Sequence, residues 1–190
     1  MKSGNVTEVY SYENGVKVGE QMPAGHNVKK DTEEITKEER QARDRQNLQR
    51  SLSRTIRNLR RSINANIGAW GDYFPKFMTL TFKQNVKDHK TANDEFKKFI
   101  QRLNYRVTGQ KRAVLKYTAV VERQKRGAIH YHVIFYNLPY TPFNELLDLW
   151  QNKNEQRGLR INAIKEIDNV GSYVTKYISK EIQALKDGGN

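Results

Sequence analysis

The chain contains no cysteine. That excludes disulfide staples and thiolate metal sites, and leaves 190 residues, read as one domain with extensions, to be held together by burial alone. No apolar run approaches the length of a membrane span, and the N-terminus lacks the apolar segment that directs secretion. The expectation is a protein of the cell interior with no membrane contact. Acidic residues are also scarce: 21 Asp and Glu stand against 34 Lys and Arg, a net charge of +13. Each phosphate neutralised by a basic side chain releases a condensed counterion, so a polyanion is the expected partner.

What the chain does have is the run Gly127-Ala128-Ile129-His130-Tyr131-His132-Val133-Ile134-Phe135. Successive strand residues point to opposite faces, so His130 and His132 present their imidazoles side by side. Residues 114–122 read as a preceding strand, Gln124-Lys125-Arg126-Gly127 as a tight turn, and residues 128–136 as the returning strand of a hairpin. Across that hairpin Glu122 comes close to His130. Two imidazoles and a carboxylate leave open positions on an ion and suit Mn²⁺, Mg²⁺ or Zn²⁺. The alternative is a hairpin whose exposed face happens to carry two histidines.

Farther along, Val170, Val174, Ile178, Ile182 and Leu185 recur at helical spacing, with Asp168 as the expected N-cap. Tyr173 and Tyr177 share one side of this helix, and Lys176 and Lys180 each follow a tyrosine by three residues. Paired tyrosines at this spacing also serve simply as core packing.

Together these motifs resemble the HUH endonucleases that start rolling-circle replication. Phe77-Met78-Thr79-Leu80-Thr81-Phe82 corresponds to the first motif, His130-Tyr131-His132 to the histidine-hydrophobe-histidine motif, and residues 173–180 to the tyrosine motif. The tyrosines follow the histidines, as in replication proteins and unlike relaxases, and the pair is similar to the two-tyrosine group typified by phage gene A proteins. Two departures stand out. The position between the histidines is Tyr131, whose hydroxyl either reaches a phosphate or packs at the strand surface. The chain ends soon after the tyrosine helix, with no room for a helicase or oligomerisation region, so the expectation is a minimal nickase or an excised domain. The missing cysteines disfavour transposase relatives that carry a zinc-binding module.

The resemblance implies an α+β fold of ferredoxin-like or RRM-like order, an antiparallel sheet with helices on one face, preceded by a basic N-terminal helix. Residues 1–36 read as a flexible polar arm, with a short alternation over residues 6–12 and room for a small hairpin. Residues 37–70 read as an amphipathic helix with Leu48, Leu52, Ile56, Leu59 and Ile63 on one stripe and eight arginines elsewhere, Arg40, Arg43, Arg45, Arg50, Arg54, Arg57, Arg60 and Arg61. Residues 71–187 read as the endonuclease domain. Within it strands are expected over 73–83 and 159–167. Helices are expected over 91–107, capped by Thr91 and burying Phe96, Phe99, Ile100 and Leu103, and from Thr141-Pro142 onward, burying Leu146, Leu147 and Trp150.

A phenol has a pKa of ~10 and is a weak nucleophile at neutral pH. The resemblance implies Tyr177 and Tyr173 as nucleophiles, Lys180 and Lys176 as their electrostatic partners, and Mn²⁺ or Mg²⁺ on His130, His132 and Glu122. The DNA contacts expected are Thr79, Thr81, Arg54, Arg57, Arg61, Lys125 and Arg126. The substrate implied is single-stranded DNA at an origin or hairpin, cut to a 5′-phosphotyrosine and a free 3′-hydroxyl, with a host helicase as partner, the bacterial cytoplasm as location and no small-molecule cofactor. A transposase or mobilisation relaxase with the same site, and a non-catalytic single-strand-binding module of the same architecture, are the competing readings.

Overall fold

The structure, a computed structural model, describes residues 2–4, 6–9, 36–124, 126–151, 157–164 and 169–176. Its elements are β1 (Lys2–Ser3), β2 (Val6–Thr7), α1 (Lys37–Asn66), β3 (Lys76–Thr81), α2 (His89–Thr108), β4 (Tyr117–Arg123), β5 (Ile129–Phe135), α3 (Phe143–Trp150), β6 (Gly158–Ala163) and a helical segment, α4, over 170–176. From β3 onward the order is β-α-β-β-α-β. The sheet runs β4-β5-β3-β6 with every neighbouring pair antiparallel. This is the ferredoxin-like arrangement. Of the histidine hairpin, β5 is central and β4 forms an edge.

Strand alternation sorts the side chains onto two faces. Met78, Leu80, Ile129, Tyr131, Val133 and Phe135 bury against Ala92, Phe96, Phe99 and Leu103 of α2 and Leu146 and Trp150 of α3. Each fully buried apolar side chain of this layer contributes roughly 1.5–3 kcal/mol. Trp150 also donates its indole N–H to the Thr81 carbonyl at 3.2 Å, so the helix layer is tied to the end of β3. On the opposite face Phe77, Val120, Ile134 and Tyr136 are covered by Leu59, Ile63 and Ile67 near the end of α1, and by Val170, Tyr173 and Val174 of α4.

Several boundaries differ from the sequence reading, each for a local hydrogen-bonding reason. The helix expected from Thr91 starts earlier, because Asp88 is its cap: its carboxylate accepts from the Thr91 N–H at 2.7 Å and from the Thr91 hydroxyl at 2.6 Å. The strand expected from residue 114 begins at Tyr117, since the Val114 and Leu115 N–H groups are both taken by the Asn104 side-chain oxygen, at 2.8 and 3.2 Å. β3 is shorter than expected at both ends, and Tyr73 and Phe74 before it are exposed. β6 ends at Ala163, and residues 165–168, including the expected cap Asp168, lie outside the described residues. Asn169 caps α4 instead, accepting from the Ser172 N–H at 2.9 Å. In α3, Leu146 and Trp150 are buried and Leu147 is only half-buried.

The largest departure is α1. Its 30 residues open with a capping box between Thr36 and Glu39 and extend about 45 Å. The apolar stripe reaches the core only from Leu59 onward, and Leu48 is 59% exposed. β1 and β2 pair as a minimal hairpin within the N-terminal arm, Lys2 with Thr7 and Ser3 with Val6. Glu8 just beyond it binds Arg60 and Arg61 of α1, the latter at 2.6 Å.

Candidate active site

On the sheet face away from α2 and α3, the register aligns two cross-strand rungs. The first is Glu122, His130, Thr81 and Gly158; the second is Val120, His132, Thr79 and Arg160. Residues directly opposite one another share a face, so one surface carries a carboxylate, two imidazoles, two hydroxyls and a guanidinium in order across four strands. The histidines are not on an exposed face: His130 is 7% and His132 4% exposed.

Each imidazole is oriented through Nδ1. The Thr79 hydroxyl lies 3.2 Å from Nδ1 of His132, and the Thr81 hydroxyl 3.5 Å from Nδ1 of His130. The threonines expected to meet phosphate therefore first fix the rings, and both Nε2 atoms face the other way. Nε2 of His132 is 2.7 Å from a Glu122 carboxylate oxygen, although Glu122 stands opposite His130 in the register. Nε2 of His130 is buried with no hydrogen-bond partner among the described residues. Burial holds the His130 pKa below the ordinary imidazole value; Glu122 opposes that shift, and His132 and Arg126 add to it. The ring is neutral at pH 7, with a lone pair available.

This donor set fits a divalent ion. The orphaned Nε2 of His130, the second imidazole and the carboxylate supply two nitrogens and an oxygen, and the threonine hydroxyls act as the outer shell that orients ligating rings. Among the described residues no three His, Asp or Glu side chains already converge on one point, and Glu122 is engaged with His132. Ligation would exchange that bond for contacts to the ion.

α4 reaches this surface through rings. Phe77 stacks on His132 with centroids 5.7 Å apart and planes within 4°, and Tyr173 meets Phe77 edge-on at 5.4 Å. Phe77 is the spacer between histidine and tyrosine. The Lys176 ammonium sits 5.7 Å over the Tyr173 ring. Tyr177, Lys180 and Lys125 lie outside the described residues. Tyr131 points to the other face, 2% exposed, stacked on Phe96 and donating to Asn93 at 2.9 Å; this overturns the reading of its hydroxyl as a phosphate contact. Burial pushes its phenol up to about 12.

Two residues went unnoticed in the sequence. Asn64, on α1 and 2% exposed, accepts from the Gly171 N–H at 2.8 Å and donates to Asn169 at 3.0 Å, so α1 grips the start of α4. Nothing local marks Asn64, because its partners lie more than a hundred residues away. Arg160 was legible as the outward residue between Leu159 and Ile161, yet only the pairing with Thr79 brings it beside the histidines. Of the basic residues expected to meet DNA, Arg54, Arg57 and Arg126 are exposed, whereas Arg61 is bound to Glu8.

The family model for the replication-associated protein ORF2 matches residues 75–182. It begins just before β3 and leaves α1 outside. The fold is similar to the crystal structure of the hypothetical protein ORF119 from Sulfolobus islandicus rod-shaped virus 1, with a TM-score of 0.41 and 15% identity, over 67% of this chain and 92% of that one. No curated protein sequence matches the chain.

Proposed function

This chain belongs to the replication-associated protein ORF2 family, and from that premise we propose that it is an HUH-type nickase and strand transferase of the two-tyrosine group, acting on single-stranded DNA to initiate rolling-circle replication. The observation that carries the reading is the contact series His132–Phe77–Tyr173, by which the tyrosine helix and the histidine pair share one sheet surface. A core-packing role alone does not account for a buried imidazole with an unsatisfied nitrogen beside them.

His130, His132 and Glu122 would hold Mn²⁺ or Mg²⁺, which when bound supplies Lewis-acid polarisation of a phosphate oxygen. The chain's own groups do the rest. A tyrosine phenolic oxygen forms a bond to phosphorus, the bond from phosphorus to the 3′ oxygen breaks, and the phenolic proton ends on that 3′ oxygen through solvent. Lys176 and Lys180, each three residues after a tyrosine, lower the cost of the phenolate. The phosphotyrosine conserves the bond for religation without ATP, and a second tyrosine permits a second transfer while the first is loaded. Arg54 and Arg57 on α1, with Lys125 and Arg126 at the hairpin turn, supply phosphate contacts along the strand.

The test is incubation with labelled single-stranded DNA and Mn²⁺, read as label that stays with the protein on a denaturing gel. Tyr177→Phe is expected to lose most of the adduct, Tyr173→Phe to retain it, and the double variant to form none. DNA binding with no adduct under any divalent ion would make the protein a recognition module. An adduct in the double variant would remove both tyrosines as nucleophiles.

A further inference from the structure

We propose that Arg160 is a catalytic residue of this site, its guanidinium gripping non-bridging oxygens of the scissile phosphate from the β6 side; this rests on the nickase reading above. Leu159 and Ile161 pack with the α2/α3 core, so Arg160 points to the opposite face, and it pairs with Thr79, whose hydroxyl orients His132. Neighbouring strands lie about 4.8 Å apart, which puts the Arg160 backbone about 10 Å from that of His132, within reach of an extended arginine for a group seated between them.

Its surroundings favour an incoming anion. Arg160 is exposed and has no hydrogen-bond or ion-pair partner among the described residues. Several arginines elsewhere on the fold are engaged, Arg157 with Glu95, Arg123 with His89, Arg106 with Glu145, and Arg60 and Arg61 with Glu8, whereas Arg126 at the hairpin turn is exposed on the Glu122 side of the site. The preceding β6 position on the same face is Gly158, so β6 itself places no side chain in the His130 rung beside Arg160. The carboxylate of the site, Glu122, stands at the far edge of the sheet from Arg160. A phosphate over β5 and β3 would thus meet the imidazole side from one direction and a planar two-donor cation from the other. In the transfer step the phosphoryl oxygens carry the charge of the transition state while the tyrosine–phosphorus bond forms and the bond to the 3′ oxygen breaks. A guanidinium fork matches two such oxygens where an ammonium matches one.

The test compares wild type, Arg160→Ala and Arg160→Lys with a labelled pool of random-sequence single-stranded DNA. Adduct rate is measured at saturating DNA with Mn²⁺, and affinity is measured with EDTA in place of metal. Arg160→Ala is expected to lose about a hundredfold in rate with a much smaller change in affinity. Millimolar guanidinium chloride should restore part of that loss, and Arg160→Lys should recover only a fraction. A wild-type rate in Arg160→Ala at saturation, with weaker affinity alone, makes Arg160 an ordinary backbone contact and overturns the proposal while the nickase reading stands. No adduct in the wild type overturns the nickase reading, and the role of Arg160 with it.

Discussion

His132 is held from three directions: by Thr79 at Nδ1, by Glu122 at Nε2 and by the parallel ring of Phe77. His130 has a weak contact to Thr81 and an open nitrogen. The two histidines therefore differ in what their loss removes. Substituting either with Ala should abolish metal-dependent adduct formation while leaving DNA affinity nearly intact, because affinity comes from the basic residues. His132→Ala should also lower the melting temperature, since it strands the Glu122 carboxylate, whereas His130→Ala should change it little. Undiminished adduct in both variants would remove the metal site. Isothermal titration of Mn²⁺ gives the same information without DNA.

Tyr131 carries a pH prediction. Its folded pKa of about 12 lies above the unfolded phenol value of about 10. Between those values the folded state keeps a proton that the unfolded state has lost, so stability falls as pH rises. Below pH ~10 the group has no effect on stability. Above it the loss accumulates at about 1.4 kcal/mol per pH unit, to roughly 2–3 kcal/mol by pH ~12. Denaturant melts across this window should show the decline, and Tyr131→Phe should flatten it. Tyr131→Phe should change stability little at neutral pH, because the Asn93 side chain it leaves is exposed to water.

At the scale of elements, the junction of α1 and α4 positions the described turns of the tyrosine helix, Tyr173 included. A Cβ on Gly171 would sit 2.3 Å from the Arg60 carbonyl oxygen and 2.9 Å from Asn64 Oδ1, so α4 approaches α1 as closely as backbone allows. Gly171→Ala must displace α4. Adduct formation should fall sharply while Mn²⁺ affinity at the histidines is retained, and overpacking of this kind costs about 1–3 kcal/mol in a thermal melt. A Gly171→Ala variant with normal adduct yield would show that the α4 position is not critical.

The arginines of α1 separate in the same way. Arg54 and Arg57 are exposed, so reversing both to Glu should weaken DNA binding and flatten its salt dependence without loss of stability. Arg61→Glu should destabilise the fold instead, because it faces Glu8 at 2.6 Å and pushes the N-terminal hairpin off the helix. If Arg61→Glu shifts the salt slope as the other pair does and leaves melting unchanged, the Glu8 contact is immaterial.

Across the whole molecule, the family match spans residues 75–182, yet the sheet face bearing the histidines is partly covered by α1, which precedes it. A chain cut to residues 71–190 would expose Phe77, Ile134 and Tyr136 and lose the Asn64 clamp. It should melt at lower temperature or aggregate, as monitored by circular dichroism. A truncated chain as stable as the whole would make α1 an independent arm.

The order of elements, the histidine pair and the helix that carries Tyr173 were legible in the sequence, because alternation and helical spacing are local patterns and each lies within a single element. Local pattern also misled where it had no tertiary check. The stripe of α1 predicts burial of Leu48, but residues 37–51 of the helix are all exposed. Thr91 looked like a cap, while Asp88 does that work. The alternation also sets Tyr131 on the opposite face from its neighbours; the packed α2 layer turns that into burial. Glu122 opposite His130 was legible too, because a hairpin is local, whereas Thr79 against His132, Asn64 beneath Gly171 and Arg160 beside the histidines are pairings between segments distant in sequence. The sequence by itself determined which chemistries are present and on which kind of element. Only the tertiary structure decided which of them share a surface, because strand register and helix docking depend on the packing of both sheet faces at once.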